Sequence, residues 1–190
     1  MQVYTALYTD TGIVLIAARR HENQFWDGAN TGIVSLMKQA GQFCLPGGRQ
    51  NPGETEYECA AREFLEETGV PVPLHSERWK WPAPGGGFTL VGFKVAALTA
   101  LETRINTGLA AGHGNVPVNH AVRDWELSEV SVVSLSVIEN FLGNRVELPR
   151  SIQARVDDEL RFWRTRNNHS IDWYGQCATE LKRRIQINYG

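Results

Sequence analysis

The sequence predicts a mixed α/β domain followed by a pair of C-terminal helices. Three observations lead there. Short runs of β-formers alternate with turn residues through the first half of the chain. One uninterrupted helix-forming stretch lies at 54–68. After Pro149 the pattern changes to apolar residues at helical spacing. The length of 190 residues allows one domain with an appendage. With 42% hydrophobic and 21% charged residues the chain is a globular sequence, not a disordered one. A formal net charge of −2 excludes a uniformly basic nucleic-acid binder.

The elements follow in order. Val3 to Thr9 alternates, Asp10-Thr11-Gly12 is a turn, and Ile13 to Ala17 is apolar, so the three read as a hairpin. Residues 20–41 read as a long connection with one short element, Ile33 to Met37. Gln42 to Leu45 is a strand running into Pro46-Gly47-Gly48. Glu54 to Thr68 contains good helix formers and no Gly or Pro, and Gly69 supplies the stop. Leu74 to Trp81 and Phe88 to Leu98 read as strands joined by a Pro/Gly loop. Residues 101–120 are Gly-rich and read as irregular, and Val130 to Val133 as a strand. Ser136 with Glu139 three residues later is a capping-box pattern for a helix ending at Gly143. Ile152, Val156, Leu160 and Trp163 form one helical stripe, and Trp173, Cys177, Leu181 and Ile185 a second. The expected organisation is a domain at 1–143 and a helical hairpin at 144–190, packed on or extending it.

Chemistry concentrates in residues 48–70, GRQNPGETEYECAAREFLEETGV. On a helix Glu63, Glu66 and Glu67 fall at i, i+3 and i+4, which places three carboxylates on one face. Like charges at that spacing repel by a few tenths of a kcal/mol per pair. A hard divalent cation relieves such repulsion, and Mg²⁺ favours carboxylates together with substrate phosphates. Arg62 follows Glu58 by four residues and Glu54 by eight, within reach of a charge-assisted pair. The opposite face, with Tyr57, Ala61, Phe64, Leu65 and Thr68, is mostly apolar and suited to packing on a sheet. Cys44, Cys59 and Cys177 are scattered, without a CxxC pair or a Cys/His cluster, so they read as buried free thiols.

Gly48, Glu54, Arg62, Glu63, Glu66, Glu67 and Gly69, with Phe64 and Val70 at apolar positions, fill every fixed position of the Nudix box. The chain therefore resembles the Nudix hydrolase family over about 1–143. The resemblance implies an α/β/α sandwich with a mixed β-sheet and the box as loop–helix–loop. It implies hydrolysis of a diphosphate linkage in a nucleoside diphosphate joined to another moiety, with Mg²⁺ or Mn²⁺ as cofactor. Glu66, Glu67 and the Gly48 carbonyl are the implied metal ligands, Glu63 a ligand or general base, and Glu54 with Arg62 structural support. A further base or ligand is expected from Glu102, Glu126 or Glu129, with Glu129 ranked first.

Outside the box, Trp26, Trp79 and Trp81 are candidates for stacking on a nucleobase, and His113 and His120 for substrate contact. Pro84, and the absence of Tyr at Gly86 to Phe88, tilt the expected substrate towards an NDP-sugar or ADP-ribose-like nucleotide. The alternatives are an RNA 5′-end pyrophosphohydrolase, an NTP pyrophosphatase, or a non-catalytic nucleotide-sensing module. The RNA reading rests on charge segregation. Residues 145–190 hold 9 basic and 6 acidic residues, a balance of +3, against 10 and 15, a balance of −5, in 1–144. A small nucleotide remains the favoured partner, nucleic acid the less favoured one, and a homodimer is consistent with the family. No apolar run reaches membrane-spanning length, and the N-terminus lacks a secretory pattern, so the expected compartment is the cytoplasm.

Overall fold

The computed structural model describes residues 1–26, 29–37, 39–73, 77–111, 122, 125–166 and 173–186. The hairpin at the start is present as β1 (Gln2–Tyr8) and β2 (Ile13–Arg19), joined through Gly12 with φ 70°. At the hairpin end Tyr8 lies opposite Val14. β1 then runs parallel to β8 (Phe88–Lys94) and antiparallel to β6 (Gly47–Arg49). β2 pairs antiparallel with β5 (Phe43–Cys44) and β9 (Leu127–Ser134). β7 (Arg78–Pro82) closes the β8 edge. One parallel pair in an otherwise antiparallel sheet makes it mixed.

Successive residues of a strand point to opposite faces, and β1 shows what each face carries. Thr5 donates its hydroxyl to the Ala60 carbonyl at 3.0 Å, on helix α1 (Glu56–Thr68). Its neighbour Tyr4 packs on Trp173 and Tyr174, with ring centroids 6.2 and 5.6 Å away, at the start of helix α4 (Trp173–Gln186). Helices therefore cover both faces, and the architecture is an α/β/α sandwich. α4 sinks Tyr174, Cys177, Ala178, Leu181 and Ile185 into the main core beside Val3, Leu7, Leu15, Leu45 and Phe64. The second stripe read from the sequence thus faces the core. Helix α3 (Arg150–Arg166) instead places Val156 in a separate small cluster with Met37 and Ala40. Leu160 and Trp163, also in its stripe, have side chains beyond what the structure describes.

Three elements differ from expectation. Residues 20–41 are not a connection with one short element: they form a two-stranded hairpin, β3 (Glu22–Trp26) and β4 (Ala29–Leu36). Cross-strand pairing overrides their Gly and Asn content, which suppressed the strand reading. Thr99–Ala110, expected to be largely irregular, is helix α2. Ile105 and Leu109, at i and i+4, are buried and make its apolar stripe, while Gly108 masks the pattern. α2 also covers the free edge of β9. Asn106 accepts from the Val130 N–H and donates to the Val130 carbonyl, both at 2.8 Å, and Glu102 accepts from the Val132 N–H at 3.0 Å. Finally, the capping residue near 136 is Ser134, whose hydroxyl accepts from the Ser136 N–H at 3.3 Å. It caps a 3₁₀ helix, Leu135–Asn140.

Candidate active site

The box helix is fixed at both ends. Thr55 and Glu58 form a reciprocal capping box, with the Thr55 N–H donating to Glu58 Oε2 at 2.7 Å. Glu58 is thereby occupied at the helix start rather than facing the other carboxylates. Gly69, at φ 72°, donates its N–H to the Leu65 carbonyl at 2.8 Å and ends the helix in the left-handed conformation that glycine adopts without strain.

Arg62 organises one side of the acidic face. Its Nε and Nη2 donate to the two oxygens of Glu54 at 2.8 and 3.1 Å, a bidentate pair. Its Nη1 lies 2.9 Å from both Glu63 Oε1 and Glu66 Oε2, and Nη2 also donates to the Arg49 carbonyl at 3.0 Å. The hydrogen bond from Arg62 holds the Glu54 carboxyl below the usual carboxylate range. Glu54 and Arg62, read from the sequence as structural support, are thus a bidentate ion pair. Gly48 sits directly against Glu63: a Cβ there would lie 2.4 Å from Glu63 Oε2. A Cβ at Gly48 would therefore have to displace the Glu63 carboxylate.

Glu67 lies deeper, with 2% of its surface exposed. It accepts from the Gly47 N–H at 3.0 Å, so the β6 loop aims a backbone donor at it. Burial pushes its carboxyl well above the ordinary value, and the charges of Glu126 and Glu63 push the same way. Arg19 and the Gly47 N–H act in the opposite direction but do not cancel the rise. The carboxylate brought into the field of Glu67 from the segment before β9 is therefore Glu126. Glu126 is paired with Arg19. Trp125, the residue before it, is buried at φ 51°. That conformation costs a bulky residue about 1–3 kcal/mol and persists only where its surroundings enforce it.

The other expected residues fall elsewhere. Glu129, ranked first in the sequence, is exposed on β9 opposite Ala18. Glu102 is taken up by the β9 edge. Trp79 lies against Gly92, where a Cβ would stand 2.2 Å from its ring. Its Nε1 donates to the Tyr8 hydroxyl at 3.1 Å, and the Arg184 guanidinium lies 5.3 Å from its ring centre. Trp81 packs edge-on against Phe88 at 6.0 Å. The described contacts of both tryptophans are thus structural. Trp26 pairs with Ala29 in the β3–β4 hairpin, and the structure describes its backbone alone. His113 and His120 lie outside the described residues. Arg19 was not anticipated. Its only sequence signal is a cation ending an otherwise apolar strand.

Among the described residues no three His, Cys, Asp or Glu side chains are gathered closely enough to enclose an ion as they stand. The reason is visible: Glu63 and Glu66 both turn an oxygen to Arg62. The donor set is nevertheless suited to a hard cation. Glu54, Glu63, Glu66, Glu67 and Glu126 are five acidic side chains that share two guanidinium groups, Arg19 and Arg62. All the donors are oxygen, as Mg²⁺ or Mn²⁺ prefers.

The NUDIX domain model matches residues 5–142, and the chain belongs to that family. Nudix hydrolase 3 of Caenorhabditis elegans is 51% identical over 37 residues. That match spans 20% of this chain and 15% of the relative's length. Among solved structures, the MutT protein from Methanosarcina mazei Go1 is 24% identical, with 83% of this chain and 92% of that one covered and a TM-score of 0.38. A C. elegans Ap4A hydrolase binary complex is 12% identical, with 87% and 96% covered and a TM-score of 0.43. The NUDIX domain of Shewanella oneidensis NrtR complexed with ADP ribose is 16% identical, with 84% of each covered and a TM-score of 0.39.

Proposed function

We propose that this chain hydrolyses the diphosphate linkage of a nucleoside diphosphate joined to another moiety, with an NDP-sugar or ADP-ribose-like compound as the favoured substrate. Mg²⁺ or Mn²⁺ would be held by Glu63, Glu66, Glu67 and the Gly48 carbonyl. When bound, it would neutralise diphosphate oxygens and lower the pKa of an attacking water. The observation that carries this reading is Glu67, a buried carboxylate whose environment opposes its charge and which still accepts from the Gly47 N–H. A buried acid with two further carboxylates in its field is a poor structural element and a good cation site.

The protein groups have separable tasks. Arg62 holds Glu54, Glu63 and Glu66 in one array, so that their geometry is set before substrate arrives. Gly47 orients Glu67. Glu126 supplies a carboxylate from the opposite side and is a stronger candidate for the extra base than Glu129. Six of the eight arginines after residue 144 are described at side-chain level. Five of these have an acidic or carbonyl partner: Arg145, Arg155, Arg161, Arg183 and Arg184. That pairing lowers the weight of an RNA-end substrate.

Hydrolysis should be measured on NDP-sugars, ADP-ribose, NTPs, dinucleoside polyphosphates and 5′-triphosphorylated RNA, with Mg²⁺ and with Mn²⁺. The reading expects metal-dependent release of a nucleoside monophosphate from an NDP-linked compound. Faster turnover of RNA ends than of any free nucleotide would transfer the assignment to RNA. Nucleotide binding without product over hours would make the chain a sensing module.

A further inference from the structure

We propose that Arg19 is a positioning residue, which sets the Glu126 carboxylate against Glu67 from a bulge between β2 and β9. The inference rests on the hydrolase reading above and assigns a role to a residue outside the box.

The backbone is shaped around this one ion pair. The β2–β9 register runs residue for residue from Ile13 opposite Ser134 to Ala18 opposite Glu129. It then slips, so that Arg19 faces Leu127. The extra residue is Ser128, whose hydroxyl donates to the Ala18 carbonyl at 3.0 Å. Bulges of this kind twist a strand locally and re-aim a side chain. Arg19 is held through both of its backbone groups by residues 41–42. Its N–H donates to the Gln42 carbonyl at 3.0 Å, and its carbonyl accepts from the Gly41 N–H at 3.2 Å. On the facing segment the Glu126 carbonyl accepts from the Arg20 N–H at 2.8 Å. Trp125 is fixed in its left-handed conformation with its ring 5.5 Å from the Arg20 guanidinium.

The side chains follow from that frame. Arg19 Nη1 donates to Glu126 Oε2, and the two side chains keep only 12% and 21% of their surface exposed. A pair so enclosed is stiff, and removing one partner strands the other. The same guanidinium is the cation that opposes the rise at Glu67. Arg19 thus pairs directly with the carboxylate before β9 and acts on the one on the box helix through its field. A bulge, a left-handed tryptophan and a backbone clamp are more than an ion pair needs for stability alone. They fit a requirement for a fixed distance between Glu126 and the box.

The test is a double-mutant cycle of Arg19→Met and Glu126→Gln. Two quantities are read in all four proteins: steady-state hydrolysis of the best panel substrate, and Mn²⁺ affinity by isothermal titration calorimetry. Arg19→Met should lower kcat at least tenfold with KM within threefold, and weaken Mn²⁺ binding at least threefold. In the Glu126→Gln background both effects should shrink below twofold, because Arg19 acts through Glu126. Arg19→Lys should recover part of kcat. A raised KM at unchanged kcat, or equal losses in both backgrounds, overturns the proposal. Should Arg19→Met fail to fold, Arg19→Lys carries the same cycle, with a smaller loss that vanishes when Glu126→Gln is also present. The Mn²⁺ arm needs no substrate. If the wild type binds Mn²⁺ but hydrolyses nothing, the hydrolase reading fails. The Arg19–Glu126 coupling in affinity is then still read: its presence supports positioning, and its absence, or no Mn²⁺ binding by the wild type, overturns it.

Discussion

At the scale of the residue, the site is a set of oxygens held apart by two arginines and approached by a glycine. A side chain at Gly48 would have to push the Glu63 carboxylate aside, since a Cβ would lie 2.4 Å from Glu63 Oε2. Gly48→Ala should therefore displace Glu63 while leaving α1 folded. The expected outcome is a fall in kcat of about tenfold or more, in line with the cost of misplacing a reacting group by an ångström. Far-UV circular dichroism should be unchanged. Wild-type turnover by this variant would show that the Glu63 position is not set by the turn. This close approach was legible in the sequence only as a fixed motif position. The structure supplies its cause. That Glu63, Glu66 and Glu67 share one face was legible from helical spacing, whereas the pairing of Glu54, which precedes the helix, with Arg62 was expected from the box resemblance. Glu126 was legible only as one of three candidates, ranked below Glu129, and Arg19 was not legible at all, because no local periodicity reports a register slip that joins residues 107 positions apart.

At the scale of the element, α4 behaves as part of the core. Glu180 is buried within it and accepts from Arg183 at 2.7 and 2.6 Å and from Arg184 at 2.8 Å. Hydrogen bonds from Arg183, and then Arg184, hold its carboxyl below the ordinary value of 4.5. The sign follows from linkage. A carboxyl depressed in the fold contributes stability above its unfolded value, and that contribution is lost as pH falls through the folded one. Glu180→Gln should destabilise the protein by about 1 kcal/mol at pH 7, the range for partly exposed ion pairs. The difference should disappear on acidification below 4.5, as read by thermal unfolding across pH. A destabilisation that persists in acid would place its origin in packing. The amphipathic stripe of α4 was readable from Trp173, Cys177, Leu181 and Ile185. The β3–β4 hairpin and α2 were not, because Gly and Asn lower local propensity where tertiary pairing decides the outcome.

At the scale of the molecule, the family match ends at residue 142, but the core does not. Tyr174, Cys177, Ala178, Leu181 and Ile185 cover the sheet face opposite α1, so the C-terminal helices read from sequence as an extension include one layer of the sandwich. A chain ending at residue 148 should lose cooperative thermal unfolding and bind a hydrophobic dye, because its sheet would expose one face. A sharp transition in that truncated chain would show that 1–148 is self-sufficient.

The role proposed for Glu67 sets stability against function. Its carboxyl is raised in the fold, so the metal-free protein gains from its protonated form at low pH. That gain is lost as pH rises through the folded value. Gln keeps an acceptor for the Gly47 N–H and has no carboxyl whose ionisation burial opposes. The most direct measurement is therefore Glu67→Gln, assayed for metal-dependent hydrolysis and for thermal unfolding without metal at pH 7.5. The predicted result is loss of turnover by at least a hundredfold, together with a melting temperature a few degrees above the wild type. Unchanged turnover, or lost turnover accompanied by a lowered melting temperature, would contradict the assignment of Glu67 as a buried carboxylate kept for a cation.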